Sequence, residues 1–245
     1  MHNKSDTSVA YIQTMTTNDP VNNLRVIRQQ IEQISKRHQR SSRDVCLIAV
    51  SKTRSAHEIR SLAMQGQMHF GENYIQESVD KMAEISDIEL IWHFIGPIQK
   101  NKTRLIAEKF QWVHSVDRES VAKRLSNQRP PDLPALNICL QINIDNEDSK
   151  SGIAPTALLP LAELIQQLPN LKLRGLMAIP SATNEPEQQT SAFRKMADLL
   201  TSLKQHEFDV DTLSMGMSND FEAAIACGST MVRIGTAIFG PRHNS

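Results

Sequence analysis

Short apolar segments alternate with amphipathic segments along almost the whole chain, and this alternation constrains the fold more than any other feature of the sequence. Eight segments have the apolar composition and the length of buried strands. Strands that alternate with helices predict a parallel sheet, because each helix carries the chain back to the end where the previous strand began. The predicted strands cover residues 45–51, 68–71, 90–95, 112–115, 136–144, 173–178, 212–214 and 231–234.

The segments between those strands carry apolar residues at intervals of three and four, which is the period of a helix packed on a core. Asp19 and Pro20 are typical of a helix start and precede the first of these segments. Eight strand–helix alternations favour an α/β fold of the (β/α)8 or TIM barrel type, with an open doubly wound sheet as the alternative. The predicted helices cover residues 21–38, 56–65, 75–85, 102–108, 118–126, 157–167, 188–206 and 219–226.

No break in composition divides the chain, so we expect residues 1–18 to form a mobile N-terminal arm and residues 19–245 to form a single barrel domain. Lys plus Arg and Asp plus Glu both number 27, and this balance favours neither nucleic acid nor an anionic membrane as a partner. No apolar stretch reaches the ~20 residues of a membrane span, and the polar start lacks the apolar centre of a secretory signal. We therefore expect a cytoplasmic protein that binds a small molecule.

The cysteines and histidines do not predict a metal site. Cys46, Cys139 and Cys227 are few, scattered and odd in number, which predicts buried free thiols and no disulfide. His57 and His69 have no cysteine or histidine partner at the spacing of metal ligands.

Lys52 stands where the first predicted strand ends, at the boundary between a desolvated core and the opening of a pocket. Desolvation disfavours the charged form of an amine, and a neutral lysine can condense with an aldehyde. The alternative is a strand-end lysine that simply reaches solvent. In a closed barrel the eighth strand lies beside the first, so residues that follow strands seven and eight approach Lys52.

The segments after strands seven and eight are rich in small and polar residues. Residues 214–218 lead into a helix that Asn219 can cap, and Arg233, Gly235 and Thr236 come at the end of strand eight. Taken singly, these could be ordinary turn, cap or surface residues, but loops at this place are the recurring phosphate site of the barrel. An amine beside a phosphate site predicts binding of a phosphorylated aldehyde. Pyridoxal 5′-phosphate (PLP) is the most common one, and a sugar phosphate held by a Schiff-base aldolase is the rival.

Other strand ends offer weaker candidates. Asn73 could bond a ring oxygen or only mark the start of a helix, and His93 could exchange protons or serve as a hydrogen-bonded structural residue. Asn143 and the polar loop after it could line the pocket opening or merely turn the chain. Met177 could pack against a ring face or belong to the core.

The chain resembles the pyridoxal phosphate homeostasis proteins in several segments that occur in a fixed order, which is more specific than any single motif. The resemblance extends from about residue 21 to residue 242, and only the longer leader, residues 1–18, looks atypical. The segments are AVSK at 49–52, FGENY at 70–74, WHFIGPIQ at 92–99, SKSG at 149–152, RGLM at 174–177, LSMGMS at 213–218 and VRIGT at 232–236.

This resemblance implies a barrel like the N-terminal domain of alanine racemase, the fold-type III class of PLP proteins, with Lys52 in a Schiff base with the cofactor. Arg233 would lie near the ring nitrogen or the phosphate, and at the ring nitrogen it would oppose protonation and weaken the ring as an electron sink. The implied phosphate contacts are Ser214, Gly216, Ser218, Gly235 and Thr236. Together with these residues, the predicted cofactor-binding set contains Lys52, Asn73, Met177 and Arg233.

The resemblance also implies a role in vitamin B6 metabolism, in which the protein holds PLP and exchanges it with the cellular pool. PLP-requiring apoenzymes are then candidate partners. Barrel racemases of similar fold use a tyrosine from a second domain as the opposite-face base, whereas this sequence ends at Ser245 and has only Tyr11 and Tyr74. We therefore expect a non-catalytic, monomeric carrier, with a minimal PLP-dependent amino-acid racemase as the alternative.

Overall fold

The structure, a computed structural model, describes residues 19–147, 150–183 and 185–241, so the predicted mobile arm lies outside the described residues. The strands are β1 (Cys46–Val50), β2 (His69–Glu72), β3 (Ile91–Phe94), β4 (Trp112–Val116), β5 (Leu136–Gln141), β6 (Leu171–Met177), β7 (Thr212–Ser214) and β8 (Met231–Ile234). The helices are α1 (Pro20–Arg37), α2 (Ala56–Ala63), α3 (Ile75–Glu84), α4 (Thr103–Lys109), α5 (Glu119–Gln128), α6 (Leu158–Gln166), α7 (Pro186–Gln205), α8 (Phe221–Ala226) and α9 (Thr236–Phe239).

The eight strands form a closed parallel barrel in the order of the sequence. β1 pairs with β8 from Cys46 opposite Met231 to Ala49 opposite Ile234, as well as with β2. This pairing confirms the (β/α)8 barrel and excludes the open doubly wound sheet, in which the first and last strands do not close a ring. All strands point the same way, so their carboxyl ends surround one opening of the barrel, which we call the mouth.

Side-chain hydrogen bonds fix the start of α1 and the position of α9. The carboxylate of Asp19 accepts hydrogen bonds from the amides of Val21 at 3.0 Å and Asn22 at 3.2 Å, as the predicted start of α1 requires. Helix α9 was not predicted, because four residues are too few to show a helical period. The side-chain amide of Asn23 on α1 donates to the carbonyl oxygen of Ile238 on α9 at 2.9 Å, and this bond fastens the two helices together.

The apolar residues form two separate clusters. The larger one lies between the strands and the surrounding helices. The smaller one fills the inside of the barrel and consists of Ile48, Trp112, Cys139, Met177 and Met231. The two clusters follow from the alternation of side chains along each strand, which sends neighbouring residues to opposite faces of the sheet.

The end of β5 and the burial of the cysteines differ from the predictions. Strand β5 ends at Gln141 and not at residue 144, because Ile142 leaves the ladder and forms an isolated bridge with Ile153. Of the three cysteines only Cys139 is buried, whereas Cys46 and Cys227 are half-buried, and all three are free.

Within the described ranges, no group of three or more His, Cys, Asp or Glu side chains is arranged so that it could hold a metal ion. No helix in the same part of the chain has both the length and the apolar character that crossing a membrane requires.

Candidate functional site

Lys52 lies at the mouth, in the turn that follows β1, and it is half-buried. Ser51 before it is fully buried, and its amide donates to the carbonyl oxygen of Gly71 on β2 at 3.0 Å. Thr53 after it has a φ of 63°, a left-handed conformation that few residues other than glycine adopt. The backbone on either side of Lys52 is therefore tightly specified.

A buried ionic network on α3 holds that backbone. Lys81 donates to the carbonyl oxygen of Ser51 at 2.9 Å, to the carboxylate of Glu72 at 2.6 Å and to the carboxylate of Glu77 at 2.7 Å. Glu72 also accepts from the Ser51 hydroxyl at 2.6 Å, and Glu77 accepts from the Thr53 amide at 2.6 Å. Both neighbours of Lys52 in the chain are thus bonded to one network, which we call the Lys81 network.

Charge and burial compete within the Lys81 network. Burial raises the pKa of Glu72 above its ordinary value, while the Lys81 ammonium and the Ser51 hydroxyl act in the opposite direction. The other carboxylate oxygen, Oε2 of Glu72, is buried and has no hydrogen-bond partner among the described residues. The Glu72 carboxylate is therefore held by one oxygen only, on the side that faces the Lys52 turn.

Ser214 and Arg233 form the polar floor of the mouth. Arg233 Nη1 donates to Ser214 Oγ at 2.7 Å, and Nη2 donates to the carbonyl oxygen of Ala178 at 2.9 Å. Both residues are buried, and burial lowers the pKa of Arg233 to about 10, so the guanidinium remains cationic at neutral pH. Because Arg233 pairs with Ile48 across β1 and β8, this cation lies on the strand next to the one that leads into Lys52.

Three histidines continue from this floor through the inside of the barrel. His114 Nδ1 lies 2.8 Å from Ser214 Oγ, His93 Nδ1 lies 2.9 Å from His114 Nε2, and His69 Nδ1 lies 2.9 Å from His93 Nε2. We call His69, His93 and His114 the histidine relay. His93 and His114 are fully buried, so His93 is a hydrogen-bonded interior residue with no open path to solvent of its own.

The segments after β7 and β8 make the rim of the mouth. Gly216 has a φ of 96°, and a Cβ there would lie 2.6 Å from the Cβ of Ala224, so only glycine fits. Ser218 Oγ accepts from the amide of Ala237 at 3.3 Å and links the two segments. A Cβ on Gly235 would lie 3.4 Å from the carbonyl oxygen of Val50, so the end of β8 touches the end of β1 next to Lys52.

The start of α8 differs from the prediction. Asn219 does not cap the helix, because α8 begins at Phe221 and Asp220 occupies the N-cap position. The Asp220 carboxylate accepts from the amide of Met217, two bonds to the Met217 carbonyl close the turn, and Asn219 is left within it. The reason is local: a carboxylate that folds back on its own turn competes with the cap that the sequence pattern suggested.

The remaining predicted residues fall into different environments. Asn73 lies at the end of β2, and its Oδ1 is buried without a hydrogen-bond partner among the described residues. Met177 is fully buried in the inner cluster of the barrel. Asn143 turns the chain, because its side-chain amide donates to the carbonyl oxygen of Glu147 at 2.7 Å. Thr236 is exposed at the rim, and residues 148 and 149 of the polar loop lie outside the described residues.

Lys81 and His114 were not predicted from the sequence, although each left a signal there. Lys81 occupies a position of α3 that the helical period assigns to the core, where an unpaired charge is costly. His114 lies two residues after Trp112 on β4, on the same face of the strand, and so faces the inside of the barrel. A charged or polar residue at an inward position is the general sign of such a network.

The geometry defines a class of protein: a (β/α)8 barrel that presents a lysine and a buried guanidinium at one mouth, suited to an anionic carbonyl compound. The comparison with known families agrees, since residues 23–243 match the family "Alanine racemase, N-terminal domain". The chain belongs to that family and, within it, to the pyridoxal phosphate homeostasis proteins.

Close relatives share nearly the full length of the chain. It is 54% identical over 220 residues to the pyridoxal phosphate homeostasis protein of Pseudomonas aeruginosa, with 90% of this chain and 94% of that protein covered. It is 51% identical over 231 residues to the protein of the same name from Escherichia coli, with 93% and 99% covered.

Solved structures give the same fold. PipY of Synechococcus elongatus, solved with PLP bound, is 34% identical with a TM-score of 0.80, and the match covers 91% of this chain and 100% of that one. Alanine racemase from Corynebacterium glutamicum matches with a TM-score of 0.67 at 16% identity, covering 90% of this chain and 61% of that one. The second likeness concerns the fold alone.

Proposed function

We propose that this protein binds PLP, holds it reversibly on Lys52 and takes part in PLP homeostasis without catalysing a reaction of its own. The observation that carries the proposal is the meeting of Lys52 with the ends of β7 and β8 at one mouth, through the direct pairing of β1 and β8. Relatives named for PLP homeostasis and a structural neighbour with PLP bound support it.

The residues present fit the cofactor. The buried Oδ1 of Asn73, which has no partner among the described residues, suits a ligand hydroxyl that donates a hydrogen bond. The cation of Arg233 suits a ring nitrogen or a phosphate, and the glycines at 216 and 235 leave room for a ligand close to the backbone. Donors, an acceptor and an amine thus surround the mouth.

The chain's own residues then have separate tasks. PLP supplies an aldehyde that condenses with an amine and releases water. The Lys81 network holds Ser51 and Thr53 and so directs Lys52 into the mouth. Arg233 provides a fixed positive charge, and because it is cationic it disfavours protonation of any ring nitrogen placed against it. That effect weakens catalysis and leaves binding intact, which suits a carrier.

Reduction of the protein with borohydride after incubation with PLP tests this assignment. We expect one stable adduct, located on Lys52 by peptide mass analysis, and its loss in Lys52→Ala. The matched control is Lys150→Ala, which removes an amine near the mouth that already pairs with Asp145 at 3.0 Å and should leave the adduct unchanged. An equal yield of adduct in Lys52→Ala at another lysine would overturn the proposal.

Incubation with amino acids in deuterated water tests the absence of catalysis. A carrier should give no exchange of the α-proton above the rate with free PLP, in the wild type and in Lys52→Ala alike. Rapid exchange that depends on Lys52 would instead identify a PLP-dependent racemase.

A further inference from the structure

The strand register places the three histidines of the relay at successive levels along the barrel axis. His93 lies opposite Gly71, two residues beyond His69 on β2, and Trp112 lies opposite His93, two residues before His114 on β4. Each histidine therefore occupies the next inward position up the barrel, since inward side chains recur every second residue. The result is a continuous hydrogen-bonded line from the lower opening of the barrel to the floor of the mouth.

The direction of this line follows from counting hydrogens. Arg233 can only donate, so Ser214 Oγ accepts its Nη1–H. Among the described residues the only other partner of the buried Ser214 hydroxyl is His114 Nδ1, which must then accept the hydroxyl hydrogen. A neutral His114 with a free Nδ1 carries its hydrogen on Nε2 and donates to His93, and His93 donates in the same way to His69.

The surroundings keep the relay uncharged. The ring of Trp112 stacks on His93 with centroids 5.5 Å apart, and the inner apolar cluster encloses both. Burial, with the Arg233 cation acting in the same direction, lowers the pKa of His114 to about 3. Burial is also the main cause that lowers the pKa of His93. A neutral imidazole ring donates one hydrogen bond and accepts one, as the direction of the relay requires.

We propose that His69, His93 and His114 are positioning residues for Arg233, and that they hold its guanidinium through Ser214 by presenting a chain of acceptors that all point toward it. This inference rests on the proposed function, in which Arg233 faces the bound PLP. A buried cation is stable only if its hydrogens are accepted, and a chain of polarised bonds accepts them more strongly than an isolated hydroxyl does.

The lower end of the relay lies near the surface of the barrel. His69 is half-buried and borders a cavity at the amino-terminal ends of the strands, together with Arg28 and Glu32 of α1 and Cys46 of β1. A proton added to His69 places hydrogens on both ring nitrogens, so His69 must then donate to His93 and the whole relay must reverse. The reversed relay would direct an N–H of His114 at Ser214 and remove the acceptor of the Ser214 hydroxyl.

Histidine ¹⁵N NMR on the protein without PLP tests the direction of the relay. Ring nitrogens with and without hydrogen have well-separated shifts, so the tautomer of each histidine can be assigned. We expect hydrogen on Nε2 of His69, His93 and His114. Hydrogen on Nδ1 of His114, or a charged His114 ring at neutral pH, would overturn the proposal.

Variants at the far end of the relay test its effect on PLP. His69→Leu leaves His93 Nε2 without its partner, and we expect PLP to leave the reconstituted protein about tenfold faster, the effect of weakening one hydrogen bond to a charged group. His69→Asn restores an acceptor and should release PLP at the wild-type rate. His57→Leu, an exposed histidine on α2 outside the relay, is the matched control. Equal release rates in His69→Leu and His57→Leu would overturn the proposal.

The two proposals fail in different ways. If the wild type forms no adduct with PLP on Lys52, the proposed function fails, and the NMR measurement on the PLP-free protein still decides the relay. If the adduct forms but the histidine tautomers or the PLP release rates differ from those expected, only the proposal about the relay is wrong. Circular dichroism and urea unfolding of each variant show whether the variant is still folded. A faster release of PLP from a folded variant then reports a displaced Arg233 side chain.

Discussion

A buried lysine must have its charge paired, and Lys81 shows how one residue can meet that need and also organise a site. Its ammonium contacts two carboxylates and the carbonyl oxygen of Ser51, while Ser51 and Thr53 flank Lys52. At the residue scale, Lys81 and its partner Glu77 therefore hold the backbone on both sides of Lys52, the amine that we propose faces the ligand.

Replacement of Lys81 by methionine should be costly. Lys81→Met leaves the carboxylate of Glu72, which is fully buried, without its cation, and we expect the free energy of unfolding to fall by about 3 kcal/mol. Urea unfolding measures this loss. Lys172→Met is the control, because Lys172 pairs with Asp209 at 3.7 Å on the surface, and its loss should cost less than about 1 kcal/mol. Similar costs for the two variants would contradict the prediction.

The buried histidines should make the fold sensitive to acid. The pKa of His114 is about 3 in the folded state against an ordinary value of 6.5, so the unfolded chain binds a proton that the folded chain does not. The stabilisation is complete above pH 6.5 and is lost as the pH falls toward 3.

Urea unfolding at several pH values checks that dependence. Between pH 6.5 and about 5, His114 alone should account for about 2 kcal/mol of lost stability, a slope that His114→Asn should remove. The comparison concerns slopes, so the lower starting stability of the variant does not affect it. Parallel curves for the wild type and His114→Asn would show that His114 titrates normally.

At the scale of elements, the site depends on how strand ends meet. β8 contributes Arg233 and is followed by Gly235, β7 contributes Ser214, and β1 leads into Lys52. A close approach between β6 and β7 supports this arrangement, because Gly175 has a φ of 150° and pairs with Thr212. Any side chain at Gly175 would push β7 away from its neighbours.

Gly175→Ala should therefore destabilise the barrel strongly. A Cβ there would lie 1.9 Å from the carbonyl oxygen of Thr212, so the strands must separate, and we expect a loss of about 3 kcal/mol or more in urea unfolding. Gly66→Ala is a matched control: its φ of 74° is also positive, but nothing lies within 4 Å of the added Cβ. That variant should lose only about 1 kcal/mol from backbone strain. An equal loss in both would exclude strand separation as the cause.

At the scale of the whole molecule, ring closure joins segments that are far apart in the chain. Lys52 follows the first strand and Arg233 belongs to the last, so the site exists only when β1 and β8 pair. A ligand that binds this site binds the folded chain alone. Ligand and fold should therefore be thermodynamically linked.

PLP should accordingly raise the stability of the whole barrel. At a PLP concentration about 100 times its dissociation constant, the free energy of unfolding should rise by about 3 kcal/mol. Urea unfolding with and without PLP measures the rise, and pyridoxine phosphate, which has no aldehyde, serves as the control. We expect a smaller rise with the control and with Lys52→Ala. A rise of the same size in Lys52→Ala would mean that the covalent bond adds nothing to binding.

The fold and most of the elements could be predicted from the sequence, because strand and helix periods are local. The predicted strand 212–214 coincides with β7, and the predicted strand 231–234 with β8. The exceptions have local causes as well: α9 is too short to show a period, and α8 begins after Asp220, whose carboxylate accepts from the Met217 amide, so Asn219 does not cap it. Lys52, Arg233 and the glycines could be predicted as site residues because each lies at or just after a strand end.

What the sequence determined by itself was the alternation of elements, the closed barrel that this alternation favours and the residues that stand at the strand ends. The Lys81 network and the histidine relay were decided only by the tertiary structure. Their members lie on different elements, and a hydrogen bond between them depends on strand stagger and helix placement to within a fraction of an ångström. Periodicity gives the face on which a residue lies, whereas only the packed barrel determines which polar groups on that face come into contact.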